Sequence, residues 1–156
     1  KGPKLAPFIL EIGQEKEISE MINRSISKLN SYHYSSEILC AVKKLYTPEK
    51  FIQYKNNRDI YVYIKSEKII GTVSLEHDKV YSLFVDPGFV KKGVGKNLMF
   101  RLESDAITNN IDRICLNSTL TAIEFYKKLG YEKIHEIPNK VYGINIFMQK
   151  QLDNEV

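Results

Sequence analysis

Leu83-Phe84-Val85-Asp86-Pro87-Gly88-Phe89-Val90-Lys91-Lys92-Gly93-Val94-Gly95-Lys96 is the stretch on which the reading of this chain turns. The apolar run from Val80 to Val85 ends at Asp86-Pro87-Gly88, where proline and glycine stop a central strand. From about Gly93 to Thr108 the period changes. Val94, Leu98, Leu102 and Ala106 recur every fourth residue and predict the buried face of a helix. A strand thus runs through a glycine-containing loop into a helix. The first N–H groups of a helix have no partner inside it, and with the helix dipole they attract an anion. Gly93 and Gly95 have no side chain to hold a phosphate away from that backbone. Lys91, Lys92 and Lys96 add positive charge around the same turn. Two glycines alone are equally well explained by a tight connection with surface lysines. The loop is not a Walker phosphate loop, because Gly-Lys-Ser/Thr is missing. Nor is it a good dinucleotide fingerprint, because the third glycine is absent and a meander precedes it.

Upstream of this stretch, Phe8 to Ile12 reads as a strand stopped by Gly13. Ile18, Met21, Ile22, Ile26 and Leu29 mark one face of a helix. A second helix is predicted over Ser35 to Tyr46, with Ile38, Leu39, Val42 and Leu45 inward. Thr47-Pro48-Glu49 opens a short third helix, since threonine caps and proline suits the first turn. Ile60 to Ile64, Ile69 to Leu75 and Val80 to Val85 then predict an antiparallel meander turning at Lys65-Ser66-Glu67-Lys68. Downstream, Ile114 to Leu116 is a short strand. Ser118 or Thr119 is positioned to cap a helix running to Leu129, and Gly130 suits the left-handed residue that follows a helix. Tyr131 to Glu136 and Tyr142 to Lys150 close the chain as strands. The order fits a mixed α/β sheet with helices on both faces.

The 156 residues suffice for one ordinary domain, and no repeat or linker divides them. Apolar residues at 43% can build a core, and with 27% charged residues the chain resembles neither a disordered nor a fibrous one. No apolar run approaches the ~20 residues needed to span a membrane, and no secretory-signal pattern is present. Residues 1–6, opening Lys1-Gly2-Pro3, are expected to be a processing remnant or disordered. Cys40 and Cys115 cannot form a disulfide framework, so a reduced, cytoplasmic protein is expected. The net charge of +4, from 23 basic and 19 acidic residues, permits an anionic partner without requiring one.

The second chemistry-bearing segment is Thr119-Leu120-Thr121-Ala122-Ile123-Glu124-Phe125-Tyr126-Lys127-Lys128-Leu129-Gly130-Tyr131. Ala122, Phe125, Tyr126 and Leu129 fall on one side of its helix. Phe125 and Leu129 read as core. Tyr126 differs, because a buried hydroxyl needs a partner and a tyrosine beside a developing anion is a feasible general acid. His33, His77 and His135 show no metal-ligand spacing, with or without the cysteines, so no metal is expected. Cys115 reads as a buried thiol rather than a nucleophile.

Together the two segments resemble the GNAT family, the Gcn5-related N-acetyltransferases. Val90-Lys91-Lys92-Gly93-Val94-Gly95 is similar to the family's Arg/Gln-x-x-Gly-x-Gly/Ala signature. Phe125-Tyr126-Lys127-Lys128-Leu129-Gly130-Tyr131 is similar to its Phe-Tyr-x-x-x-Gly-Phe/Tyr helix. The element order agrees from Phe8 to about Leu152. Two positions depart: Val90 replaces the usual Arg or Gln, and Thr119 stands where many relatives carry Asn.

The resemblance implies a mostly antiparallel sheet, splayed between the strand of Leu83 and that of Cys115, with acetyl-CoA in the gap. It places the pyrophosphate on the loop from Val90 and Lys91 through Lys92, Gly93, Val94 and Gly95 to Lys96. Thr119 stands near the pantetheine arm, and the arm pairs with the backbone of Leu83, Phe84 and Val85 like an added strand. An amine attacks the thioester directly, an N–H near Val85 stabilises the oxyanion, and Tyr126 protonates the leaving thiolate. An alkylamine of pKa ~10.4 is mostly protonated at neutral pH, so a base or water chain is useful. Strand alternation puts Tyr81, Leu83 and Val85 on one face, making Tyr81 one candidate and Glu76 the other. Tyr32, His33, Tyr34 and Tyr46 either line the acceptor pocket or form a surface aromatic cluster. The acceptor is a small-molecule or protein amine, and a homodimer paired through its sheets is compatible with the family. A non-catalytic acyl-CoA-binding module is the alternative. Nucleic-acid binding lacks any RRM, KH or zinc signature.

Overall fold

The computed structural model describes residues 8–28, 34–140 and 143–153. The expected remnant at residues 1–6, and the expectations for Leu29, Tyr32, His33 and Tyr142, lie outside the described residues.

The meander predicted from β-branched and aromatic runs forms the middle of a seven-stranded sheet of order β1-β2-β3-β4-β5-β7-β6. Its strands are β1 (Phe8–Ile9), β2 (Asp59–Lys65), β3 (Lys68–Glu76), β4 (Lys79–Val85), β5 (Arg113–Thr119), β6 (Glu132–Asn139) and β7 (Gly143–Gln151). All neighbours are antiparallel except β4 and β5, which run parallel. That parallel pair holds only at Lys79 with Cys115 and Val80 with Leu116. Beyond it the strands part while β5 stays paired with β7 through Thr119. The sheet is therefore splayed where the resemblance placed the gap.

Among the described residues five α-helices cover it: α1 (Glu15–Ser27), α2 (Ser36–Lys43), α3 (Pro48–Tyr54), α4 (Val94–Thr108) and α5 (Ile123–Lys128). Helix α1 buries Ile18, Met21, Ile22 and Ile26 completely, against Ile60, Val62 and Ile69. Each such side chain contributes roughly 1.5–3 kcal/mol as an upper estimate. On the opposite face, Leu98, Met99, Leu102 and Ala106 of α4 pack with Val73, Ile114 and Met148. Two cores, one on each side, fix the central strands.

The caps follow local chemistry. The Ser35 hydroxyl accepts from Ile38 N–H and that of Thr47 from Lys50 N–H, with Pro48 at the first turn. Ser66 and Glu67 both take positive φ, 52° and 66°, which suits a two-residue hairpin turn.

Four local expectations change. The first strand ends at Ile9, since only Leu10 still bonds to Ile60 before the chain turns at Gly13. Leu45 is not inward but 45% exposed, because α2 tightens into a 3₁₀ turn over Lys44–Tyr46. Neither Ser118 nor Thr119 caps the helix after β5. The Ser118 hydroxyl donates to the Thr119 carbonyl, Thr119 contacts Thr121, and a 3₁₀ turn over Leu120–Ala122 intervenes before α5. Finally, Tyr81 does not share a face with Leu83 and Val85. Ser82 sits at φ 60°, and β4 gains one residue against β3 between the pairs Ser74–Tyr81 and Thr72–Phe84. This bulge inverts the alternation. Leu83 and Val85 pack on the α4 side, and Phe84 on the α1 side.

Candidate active site

The bulge and the splay together make two adjoining cavities. One, of about 330 Å³, lies between the end of β4, the loop and the start of α4. It is lined by Leu83, Val85, Val90, Lys91, Gly93, Val94, Gly95 and Lys96, with Phe125 and Ala122 of the following segment closing it. The second, of about 250 Å³, lies deeper in the splay and is lined by Tyr46, Tyr81, Ser82, Thr119, Tyr126 and Asn145 among others. Leu83 and Ala122 border both.

The first cavity suits an anion. Gly93 is the N-cap of α4 at φ 86°, with no side chain capping the first turn and no acidic residue in it. The amides of that turn are left for a ligand. A Cβ at Gly93 would meet nothing within 4 Å, so glycine is required there by conformation and the approach is open. Lys91 also takes positive φ, 61°. Gly95 has a different reason: a Cβ there would come within 3.2 Å of the Phe125 ring. Its missing side chain lets α4 meet Phe125 rather than leaving space for a phosphate. Val90 is 49% exposed and offers no polar side-chain atom. Lys92 is exposed and outside the cavity lining.

The β4 backbone divides its groups. Asp86 N–H donates to Ile70 O at 2.8 Å. Bonds alternate along an antiparallel pair, so Phe84 also faces β3 and Val85 turns its groups to the splayed side. There the Val85 carbonyl accepts from the Ser25 hydroxyl at 2.7 Å. Phe84 points its side chain away from the cavity, edge-on to Tyr46 at 5.0 Å.

In the deeper cavity Tyr126 is 8% exposed. Its ring packs edge-on against Tyr131 at 5.8 Å and Phe125 at 5.1 Å. Burial pushes its phenol well above the ordinary tyrosine range. Among the described residues its hydroxyl has no hydrogen-bond partner. A protonated donor thus borders a partly enclosed polar space.

Tyr81 lines that space and Glu76 does not. Arg58 connects them: its guanidinium lies 4.1 Å from the Tyr81 ring centre and 4.2 Å from that of Tyr54, while Nε donates to Glu76 Oε1 at 3.2 Å. Glu76 is therefore an ion-pair partner, one step removed from the cavity. Tyr46 borders the cavity and accepts from the Ser82 hydroxyl at 3.3 Å. Burial raises its phenol, partly opposed by that bond. Cys115 is half-buried, its thiol pushed up by burial and then by Asp78. It is no ready nucleophile.

Arg58 and Asn145 escaped the sequence reading. Asn145 sits between Ile144 and Ile146 of β7, and its Oδ1 is buried with no partner among the described residues. A polar residue at a buried position of an apolar strand is the signal that marks it. Nothing local in the sequence marks Arg58. Among the described residues no group of three or more His, Cys, Asp or Glu side chains is placed to hold a metal. No described helix is long and apolar enough to cross a membrane.

A mixed sheet splayed beside an uncapped helix N-terminus is the architecture of acetyltransferases of the GCN5-related kind. A GCN5-related N-acetyltransferase structure from Rhodopseudomonas palustris superposes with a TM-score of 0.85 at 22% identity, covering 94% of this chain and 95% of that one. The PaiA N-acetyltransferase of Thermoplasma acidophilum, solved in complex with coenzyme A, gives 0.79 at 18% identity over 94% and 99%. The family model for the acetyltransferase (GNAT) domain matches residues 30–152, and the chain belongs to that family. It is also 29% identical over 73 residues to the histone acetyltransferase TAP1 of Glycine max, a match covering 44% of this chain and 32% of that protein. The chain thus spans about a third of the length of that curated relative.

Proposed function

We propose that the protein is an N-acetyltransferase that moves the acetyl group of acetyl-CoA to a primary amine by direct attack in a ternary complex. The observation that carries this is the Tyr126 phenol, buried and without a hydrogen-bond partner among the described residues, in a cavity that shares Leu83 and Ala122 with the anion-suited cavity. The uncapped first turn of α4 fits a pyrophosphate, with Lys91 and Lys96 beside it. The open side of Val85 suits an amide-bearing pantetheine arm.

The donor supplies an activated thioester. The chain does the rest. Val85 N–H, turned toward the splay, donates to the oxygen on which charge develops as the amine nitrogen bonds to the carbonyl carbon. Tyr126 gives its proton to the sulfur as the carbon–sulfur bond breaks. The substrate ammonium first loses a proton to water held at Tyr81, whose ring is fixed by Arg58 and, through it, Glu76, so that the neutral amine attacks. The second nitrogen proton, released after attack, returns through solvent to the Tyr126 phenolate. Tyr81 is the better of the two base candidates because it borders the cavity.

A panel of primary amines assayed for acetyl-CoA-dependent thiol release tests the reading. The expected result is turnover with at least one amine, falling about 10²-fold or more in Tyr126→Phe, as loss of a general acid predicts. Acetyl-CoA binding without turnover on any amine would favour the non-catalytic module. Unchanged turnover in Tyr126→Phe would remove the acid assignment.

A further inference from the structure

We propose that Glu103 and Tyr131 are positioning residues for the acid: the hydrogen bond between them ties α5 to α4 and sets where the Tyr126 phenol stands relative to the bound thioester. The inference rests on the reading of Tyr126 as the acid.

Helix α5 has six residues, too few to hold its own shape. Among the described residues the Tyr126 hydroxyl has no hydrogen-bond partner to orient it. What holds Tyr126 is the segment after it. Tyr131 N–H donates to the Tyr126 carbonyl at 3.1 Å, and the two rings meet edge-on with 71° between planes. Gly130 makes the reversal at φ 101°, with the stem of Lys150 lying 3.3 Å from where a Cβ would be. Tyr131 is in turn anchored outside its own segment. Its hydroxyl donates to Glu103 Oε2 at 2.7 Å, and Glu103 Oε1 accepts from Lys150 Nζ at 2.8 Å. Glu103 is 7% exposed and lies on α4, the helix whose other end forms the anion cavity. A buried carboxylate with both oxygens used is a rigid anchor. One rigid helix therefore carries both the cradle for the donor's phosphates and the anchor of the acid. The distance between thioester and phenol is inherited from α4.

Tyr131→Phe keeps the ring and deletes the tie, leaving Glu103 paired with Lys150. Glu103→Gln keeps an acceptor of the same length. The measurement is kcat and KM for acetyl-CoA, on protein shown to be folded at the assay temperature, in a double-mutant cycle with Tyr126→Phe. We expect Tyr131→Phe to lower kcat about tenfold with KM for acetyl-CoA within about twofold, as a slightly misplaced group predicts. Glu103→Gln stays within about threefold of the parent, and Tyr131→Phe has no further effect once Tyr126 is Phe. Three results overturn the proposal while leaving the acid in place: a Tyr131→Phe that loses only thermal stability, losses that multiply in the double mutant, or a Glu103→Gln as impaired as Tyr131→Phe. A Tyr126→Phe with full turnover removes the acid and the positioning together.

Discussion

Tyr81 and Leu83 stand two residues apart on one strand yet face opposite sides of the sheet, because Ser82 between them adopts φ 60° and adds a residue to β4. Leu83 thereby borders the cavity beside α4 with Val85, while Tyr81 stays under Arg58. The backbone conformation of Ser82 is thus part of the site. A β-branched side chain is poorly tolerated at positive φ. Ser82→Val should lose about 1–3 kcal/mol of stability and lower turnover, both measurable by urea titration and thiol release. An unchanged urea midpoint would show that the bulge is not strained by branching.

Gly71 lies opposite Val85 on β3, and a Cβ there would sit 2.6 Å from Val94 Cγ1 and 3.0 Å from Leu98 Cδ1. Gly71→Ala must push the first turns of α4 outward. The expected cost is about 1–3 kcal/mol of stability, with a raised KM for acetyl-CoA because the anion cradle moves. Adding Val94→Ala should recover much of both. A Gly71→Ala protein of parental stability and KM would mean that the Val94 and Leu98 side chains give way without moving α4.

Lys91 and Lys96 border the cavity beside α4 on exposed positions. Under the proposed function their removal together should raise KM for acetyl-CoA several-fold and leave kcat within about twofold, since that reading puts the charges at the phosphates and not at the reacting carbon. The difference from the parent should shrink as salt is raised, because exposed charges are screened over roughly 10 Å at 0.1 M. A kcat defect that ignores salt would contradict the assignment.

Asp86 links the end of β4 to α1. Burial alone would raise its carboxyl, but the Gly88 N–H and Arg24 outweigh it and hold it below the ordinary carboxylate range. A carboxyl lowered in the folded state contributes stability above its unfolded value near ~4, lost as pH falls through the folded value. Stability measured from pH 6 downward should therefore decline less steeply in Asp86→Asn than in the parent. Parallel acid limbs would show that the Arg24 contact, being exposed on one side, is worth nothing measurable.

Most of the fold was legible because its cues are local. The fourfold spacing of Val94, Leu98, Leu102 and Ala106 specifies a buried helix face whatever lies around it, and all four are buried. Thr47-Pro48 and Ser35 declared their caps. The glycine-containing loop before α4 and the helix of Tyr126 are legible as motifs because their residues are contiguous. Their neighbours were not. Strict alternation was applied across Ser82, where nothing in Leu83-Phe84-Val85 announces an extra residue. At Gly95 the missing side chain suggests room for a ligand, but the space is taken up by Phe125 from a segment 30 residues away.

By itself the sequence determined the periods, the stops, the two glycine-marked motifs and the order in which strands and helices follow one another. These depend on residues within a turn or two of each other, and short-range sterics and hydrogen bonding decide them. The tertiary structure alone decided that β4 and β5 part after two residue pairs, that Tyr81 and not Glu76 borders the deeper cavity, and that Glu103 on α4 holds Tyr131, which follows the helix of Tyr126. Each of these joins residues distant along the chain. Their pairing is set by close packing and by the need to satisfy every buried polar group, and no local pattern encodes it.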